Sequence, residues 1–206
     1  MDKSVLISIQ PQHVVNILNG KKILEIRKTV PKGFKGWVYI YCTKSRPEYC
    51  HPFRHDPIPL DDEGKWKSKI REAYLLNGKV VARFWLDNLI TLQKDEAFDE
   101  YGDFFGTDSK GNYYFGEDIK THSCLELKDI ENYWTKGSLF AWCIDKLEIF
   151  DEPLQLSDLY VFGSQDHHDF IITSKMIEDD ERECWIKSCR LKKAPQSWQY
   201  VWRNEQ

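Results

Sequence analysis

Asn16-Ile-Leu-Asn-Gly20-Lys-Lys22-Ile-Leu-Glu25-Ile-Arg27-Lys28 is the stretch on which the reading of this chain turns. Val14, Ile17 and Leu18 keep helical i, i+3, i+4 spacing after Pro11, which suits the first turn of a helix. Gly20 is a natural left-handed stop, so a short helix is expected over residues 11–19. Residues 22–28 then alternate with period two. Leu24 and Ile26 share one face, the core side, while Ile23, Glu25 and Arg27 share the other. Lys22 is even-numbered, so strict alternation sets it off the Glu25–Arg27 face unless a bulge or turn near residues 20–23 brings it round.

Outward from this hinge the chain is rich in strand signals. Residues 4–9 read as a first strand, and residues 36–42, Gly-Trp-Val-Tyr-Ile-Tyr-Cys, as another. Residues 44–65 carry Pro47, Pro52, Pro57 and Pro59 without periodicity and read as a long loop. A short helix is expected over residues 66–76 and a turn at Asn77-Gly78. A long strand follows from Lys79 to Asp87, continuing to about Thr91. Residues 94–120 are acidic, with Gly102, Gly106, Gly111 and Gly116 between aromatics, and read as irregular. Ser123 and Glu126 have the spacing of a capping box. They would open a helix with Leu127, Ile130 and Trp134 on its apolar stripe, ended by Gly137. A strand is expected over residues 139–150 and broken by Asp151-Glu-Pro153, with a turn or short helix over residues 154–159. An added strand over residues 183–189 and a terminal strand ending at Trp202 complete the reading, which assigns nothing to residues 161–182. About six strands, short helices and long excursions suggest a small barrel rather than a parallel sheet.

The bulk properties set limits. The chain has 206 residues, 41% hydrophobic, enough for one real core. There is no apolar run of bilayer length and no signal-like N-terminus, which points to a cytoplasmic protein. Six cysteines without a CxxC read as free thiols. Cys50, His51 and His55 lack a second ligand pair and read as a solvated loop, so no metal and no cofactor are expected. The formal charge of -4 argues against a broad nucleic-acid footprint, but its distribution is uneven. Residues 1–50 hold nine Lys or Arg against three acids, and residues 87–131 hold twelve acids against four Lys. A basic quarter of this kind can draw an anion to one face.

The order of the pieces resembles the ASCH branch of the PUA-like superfamily. The resemblance rests on Ile17-Leu-Asn-Gly20-Lys-Lys22-Ile-Leu-Glu25-Ile-Arg27-Lys28, on Val38-Tyr-Ile-Tyr-Cys-Thr43, on Gly78-Lys-Val-Val-Ala82-Arg-Phe84, and on Pro195-Gln-Ser-Trp-Gln-Tyr-Val201, which looks like the end of bacterial and phage ASCH proteins. It implies an α+β, mainly β fold: a single domain over residues 1–206, built as a small PUA-like β-barrel with short flanking helices and long loop excursions. Those insertions fall at about 44–76, 94–122 and 161–192. It also implies an RNA, nucleotide or modified nucleoside as partner, with no membrane. One group of such proteins resembles amidohydrolases of N4-acetylated cytidine that use a Lys, a Thr and a Glu. Lys22 falls on the lysine, Glu25 stands where that group has its Thr, and Glu126 or Glu131 is the candidate for the Glu.

The expected site is therefore a basic cleft. Catalysis would fall to Lys22, Glu25 and Glu126. Ligand binding would fall to Gly20, Lys21, Arg27 and Lys28 on the turn and strand, Tyr41 and Lys44 at the next strand end, and Ser197, Trp198 and Tyr200 near the C-terminus. Arg offers a planar fork and Lys a point charge to a phosphate or carbonyl oxygen. Trp198 and Tyr200 would stack a base, or else serve as rim aromatics of a terminal strand. Two functions stay open: a binding module for RNA or a nucleotide, and a hydrolase of a modified nucleoside or RNA. A weaker third reading has the acidic residues 94–131 mimic nucleic acid.

Overall fold

The computed structural model describes residues 3–44, 76–94, 104–134, 137–162 and 188–203. The proline-rich loop with Cys50, His51 and His55, all but the last residue of the expected helix at 66–76 and most of the excursion at 161–192 lie outside the described residues.

Strand β1 (Lys3–Ile9) leads into α1 (Pro11–Leu18), and the hinge follows. The Gly20 N–H donates to the Ile17 carbonyl and the Lys21 N–H to the Asn16 carbonyl, both at 2.9 Å, with Gly20 at φ 72°. This pair of bonds is the Schellman arrangement, and it closes the helix end that would otherwise leave carbonyls unpaired. Strand β2 begins only at Leu24 and spans Leu24–Arg27. Lys22 thus lies in the turn before the strand, and the alternation argument does not govern it.

The remaining strands are β3 (Gly36–Cys42), β4 (Val80–Leu86), β5 (Leu89–Lys94), β6 (Phe104–Asp108), β7 (Tyr113–Phe115), β8 (Leu139–Cys143), β9 (Asp145–Leu154), β10 (Tyr160–Phe162), β11 (Ser188–Arg190) and β12 (Trp198–Trp202). Among the described residues, two further helices are α2 (Gly116–Ser123) and α3 (Leu127–Tyr133), and Leu156–Asp158 forms a 3-10 turn. The strands make two sheets. One has seven strands in the order β11-β10-β12-β1-β3-β4-β9, and the other has five in the order β2-β8-β5-β6-β7. β1 and β3 pair in parallel, with α1 and β2 as the crossover between them, and the other ladders are antiparallel.

The fold is mainly β with short helices, as expected, but among the described residues the sheets do not close into a barrel. Two corners divide the strands between the sheets. The strand expected to run from Lys79 to Thr91 breaks at Asp87-Asn88, and the one expected over residues 139–150 breaks at Ile144, after which Lys146 takes φ 43°. At each corner the chain leaves one sheet for the other. β2 is left as an edge with no ladder to the seven-stranded sheet.

Three other expectations are corrected. Residues 104–123 are not irregular: Asp108 organises a β6–β7 hairpin by accepting from the Lys110 and Asn112 backbone N–H groups at 2.9 Å each. Gly106 belongs to β6, where β5 and α2 press against its Cα. Ser123 does not open a helix. It closes α2, Cys124 turns left-handed at φ 51°, and Glu126 precedes α3 without capping it through its side chain. Pro153 does not break β9, because β9 is an edge strand and needs no donor on its open side.

The core has three parts. Val5, Ile7, Ile9, Val14, Ile17, Val38, Ile40 and Phe84 pack with Trp142 between the sheets. Leu24 and Ile26 join Ile90, Leu92, Ile119, Ile130 and Trp134 under α2 and α3, which fulfils the apolar faces expected of residues 24–26 and of the Ile130 stripe. Leu6, Tyr39, Tyr41 and Val201 fill the outer face of the larger sheet. Each buried aliphatic side chain contributes about 1.5–3 kcal/mol, so this two-sided burial holds both sheet faces. Trp37 of β3 and Trp85 of β4 stack edge-to-face at 5.3 Å on a half-buried surface.

Candidate functional site

A cleft of about 420 Å³ opens where β2 fails to pair with β1. Its walls come from Ser8 and Ile9 of β1, His13 of α1, Lys22 of the hinge, residues 25–27 of β2, and Leu125, Asp129 and Tyr133 around α3. Gln10, Thr43 and Gln196 complete it.

Lys22 is the deepest charge, 2% exposed. Its Nζ donates to the Ser123 carbonyl at 2.6 Å and lies 3.2 Å from Glu25 Oε2. The Ile23 N–H donates to the His122 carbonyl at 2.9 Å. The hinge therefore caps the C-terminus of α2, where unpaired carbonyls and the helix dipole favour a cation. This is what turns Lys22 inward. Glu25, 6% exposed, also pairs with Arg27, Oε1 to Nη2 at 3.0 Å. Arg27 Nη2 donates to the Ser8 carbonyl at 2.6 Å and so bridges the gap between the sheets with a side chain rather than a ladder. Ser8 in turn holds the C-terminal segment: its Oγ donates to the Pro195 carbonyl at 2.6 Å and its N–H to the Ser197 carbonyl at 2.9 Å. That anchorage brings Gln196 to the cleft.

Two desolvated cations thus share one carboxylate. Such a cluster is costly to bury and depends on all members being present. It is not fully satisfied: Glu25 Oε2, Arg27 Nε, His13 Nδ1 and Trp142 Nε1 are sealed from solvent without a hydrogen-bond partner among the described residues. The Lys22–Glu25 contact is thus an ion pair without hydrogen-bond alignment. Burial above all lowers the His13 pKa from its ordinary 6.5. Lys22 and Arg27 push it the same way, against Glu25 and Asp129.

Of the residues expected at the site, Lys22, Glu25 and Arg27 meet in the cleft. Gly20 and Lys21 form its exposed outer turn, and Lys28 sits at the rim with Nζ 4.5 Å above the Tyr133 ring. The others do not converge there. Glu126 is exposed and lies 3.7 Å from Lys120 outside the cleft walls, and Glu131 is exposed on α3. Tyr41 points into the outer core, while Lys44 lies against the Gly78 turn. Trp198 packs 6.2 Å from Trp142 and donates to Thr29, and Tyr200 packs on Phe34 and under Lys3. They are packing aromatics of β12. Ser197 contributes a carbonyl to Ser8 and does not line the cleft. Ser8, His13, Thr43, Asp129, Tyr133 and Gln196 were not singled out for the site by sequence. His13 and Tyr133 were the visible hints, a polar and an aromatic residue beside helical core positions.

No family model matches the sequence, and no curated protein matches it. Solved structures that are similar over about three-quarters of the chain include three of ASCH from Zymomonas mobilis. The crystal structure of that protein is 15% identical, covers 74% of this chain and 73% of its own, and has a TM-score of 0.42. A tyrosine-to-phenylalanine mutant of it is 13% identical, with coverage of 75% and 77% and a TM-score of 0.43. A serine-to-alanine mutant is 14% identical, with 74% of each chain covered and a TM-score of 0.44. Likeness at this level leaves the chemistry of the cleft to be read from its own residues.

Proposed function

We propose that the protein binds an RNA base, nucleotide or modified nucleoside in the cleft between β1, β2 and α3. The observation that carries this reading is the convergence of a fixed Lys22–Glu25–Arg27 cluster with uncharged polar groups and an aromatic rim in one open site. Ligand pockets of about 300–1,000 Å³ with a few fixed polar groups on apolar walls are the usual form of a small-molecule site. Ile9, Ile26 and Leu125 supply the apolar walls, Ser8, Thr43, Gln10 and Gln196 the hydrogen-bonding groups, and Tyr133 a ring 39% exposed at the mouth. A planar heterocycle suits this combination. It stacks on an aromatic ring for about 1–3 kcal/mol and meets polar groups along its edge.

The test is a thermal-shift screen against nucleosides, nucleotides and short RNAs, run on wild type and Tyr133→Ala. Ligand stabilisation present in wild type and reduced in the variant supports the reading. A folded wild-type protein that none of these stabilises overturns it. Binding of RNA weakens as salt rises, whereas binding of an uncharged nucleoside does not.

A second reading, hydrolysis of a modified nucleoside such as N4-acetylcytidine, draws on the contact of Lys22 with Glu25 inside the same cleft. Both partners of Lys22 are acceptors, so the resting arrangement engages it as a donor, and hydrolysis would require its release. Chromatography with mass detection of deacetylated product, lost in Lys22→Arg, supports this reading. Binding of the acetylated nucleoside without product rejects it.

A further inference from the structure

Every charged group on the floor of the cleft already has a partner. Lys22 is held by Ser123 and Glu25, Arg27 by Ser8 and Glu25, and Glu25 by both cations. A phosphate entering here would have to compete with Glu25 for its own counter-charges. The imidazole of His13 stands apart from this network. It lines the cleft from α1, and its Nδ1 is sealed from solvent without a hydrogen-bond partner among the described residues.

We propose that His13 is the specificity-determining residue of the cleft, a neutral imidazole that selects the uncharged polar edge of a ligand over a phosphate. This rests on the nucleoside reading above and narrows it to the base end of the ligand. The ring edge that lines the cleft offers one hydrogen bond at a time, and a neutral imidazole can accept it from a base N–H as well as donate it to a C=O. The groups that face it are Lys22 from the hinge, Glu25 and Arg27 from β2, and Asp129 from α3. Protonation would set a third cation beside Lys22 and Arg27 and remove the acceptor. Burial opposes that charge, in agreement with the lowered pKa of His13.

The consequence is a signed pH dependence. An uncharged ligand binds fully at neutral pH and is released as the pH falls below the ordinary histidine value. The slope can reach about tenfold in affinity per pH unit, the limit for one linked proton. An anion gains affinity over the same range.

The experiment follows uridine, cytidine, adenosine and guanosine, and separately inorganic phosphate, by NMR titration of the wild-type protein between pH 5 and 8. It monitors the His13 ring and the Lys22 and Arg27 side chains. The expected result has three parts: a nucleoside perturbs His13 together with Lys22 or Arg27, its affinity falls on acidification, and the fall disappears in a folded His13→Asn variant. A nucleoside that perturbs Lys22 and Arg27 with His13 unmoved and a flat pH profile overturns the His13 role and leaves the nucleoside reading standing. Phosphate that binds at the same residues and strengthens on acidification, with no nucleoside competing, overturns the selection of an uncharged edge. If none of the probes perturbs any of the three residues, both readings fall.

Discussion

Replacement of Glu25 by Gln tests the floor of the cleft most directly. Gln has nearly the same volume, so the change removes charge and leaves packing alone. In the wild type, the Glu25 side chain is 8% exposed between Lys22 at 1% and Arg27 at 11%. Without the carboxylate charge, two desolvated cations face each other with neutral acceptors alone among the described residues: the Ser123 and Ser8 carbonyls and the new amide oxygen. Breaking a buried ion pair by removing one member costs about 3–5 kcal/mol, a large share of a total stability of about 5–15 kcal/mol. The matched control is Glu148→Gln. That residue pairs with Arg83 at 2.7 Å, but its side chain is 48% exposed. A pair of this kind is worth at most about 1 kcal/mol. Urea denaturation followed by circular dichroism separates the two. At a slope of about 2 kcal/mol/M, Glu25→Gln lowers the midpoint by roughly 2 M and the control by roughly 0.5 M or less. If Glu25→Gln loses no more than the control, Lys22 and Arg27 are not desolvated cations balanced by Glu25, and the account of the floor is wrong.

Other outcomes follow from the same geometry. Gly106→Ala would set a Cβ 2.3 Å from Ile90 Cγ2 and 3.3 Å from Ile119 Cδ1, so it should cost about 1–3 kcal/mol by the same urea assay. His13 has a folded pKa below 6.5, so the unfolded chain binds more protons between the two values. Stability is fully present above that pH and declines as pH falls through it, and His13→Asn removes this part of the decline in melts from pH 5 to 8. Cys143 is pushed up to about 11 by burial first and then by Asp108, Asp87 and Asp145. Its peptide should stay unmodified by iodoacetamide at pH 8 in the native protein and react on denaturation, as read by mass spectrometry. Asp108 is held below its ordinary value, chiefly by the Asn112 side chain. Its stabilising part is present above pH 3.8 and lost below it, so Asp108→Asn should flatten the acid limb of the stability profile.

Much of the fold was legible because it is written locally. The Gly20 stop, the Asn77-Gly78 turn, the strands at residues 4–9 and 36–42, and the apolar positions Leu24, Ile26 and Ile130 each depend on a few neighbouring residues. The corners at Asp87-Asn88 and Ile144 escaped because both flanking segments are good strands. Nothing nearby in sequence says that they belong to different sheets. The β6–β7 hairpin escaped for a different reason. Its turn is organised by the Asp108 carboxylate, and its glycines read as loop punctuation although Gly106 is a close-packing position between strands and helix.

The site divides along the same line. The sequence by itself placed Glu25 and Arg27 on one face of β2 and set Lys22 off that face unless a turn near Gly20 brought it round, because period-two alternation and a left-handed glycine are properties of the local backbone. Only the tertiary structure decided that Lys22 points inward. Its partner is the carbonyl of Ser123, 101 residues away, at a helix terminus that the sequence had read as a helix start. The tertiary structure also put Glu126 outside the cleft and His13, Asp129 and Tyr133 along it. Periodicity tells a side chain which face it shares. Which charge, carbonyl or ring will meet it there is set by long-range packing, and for buried charges those partners decide the chemistry.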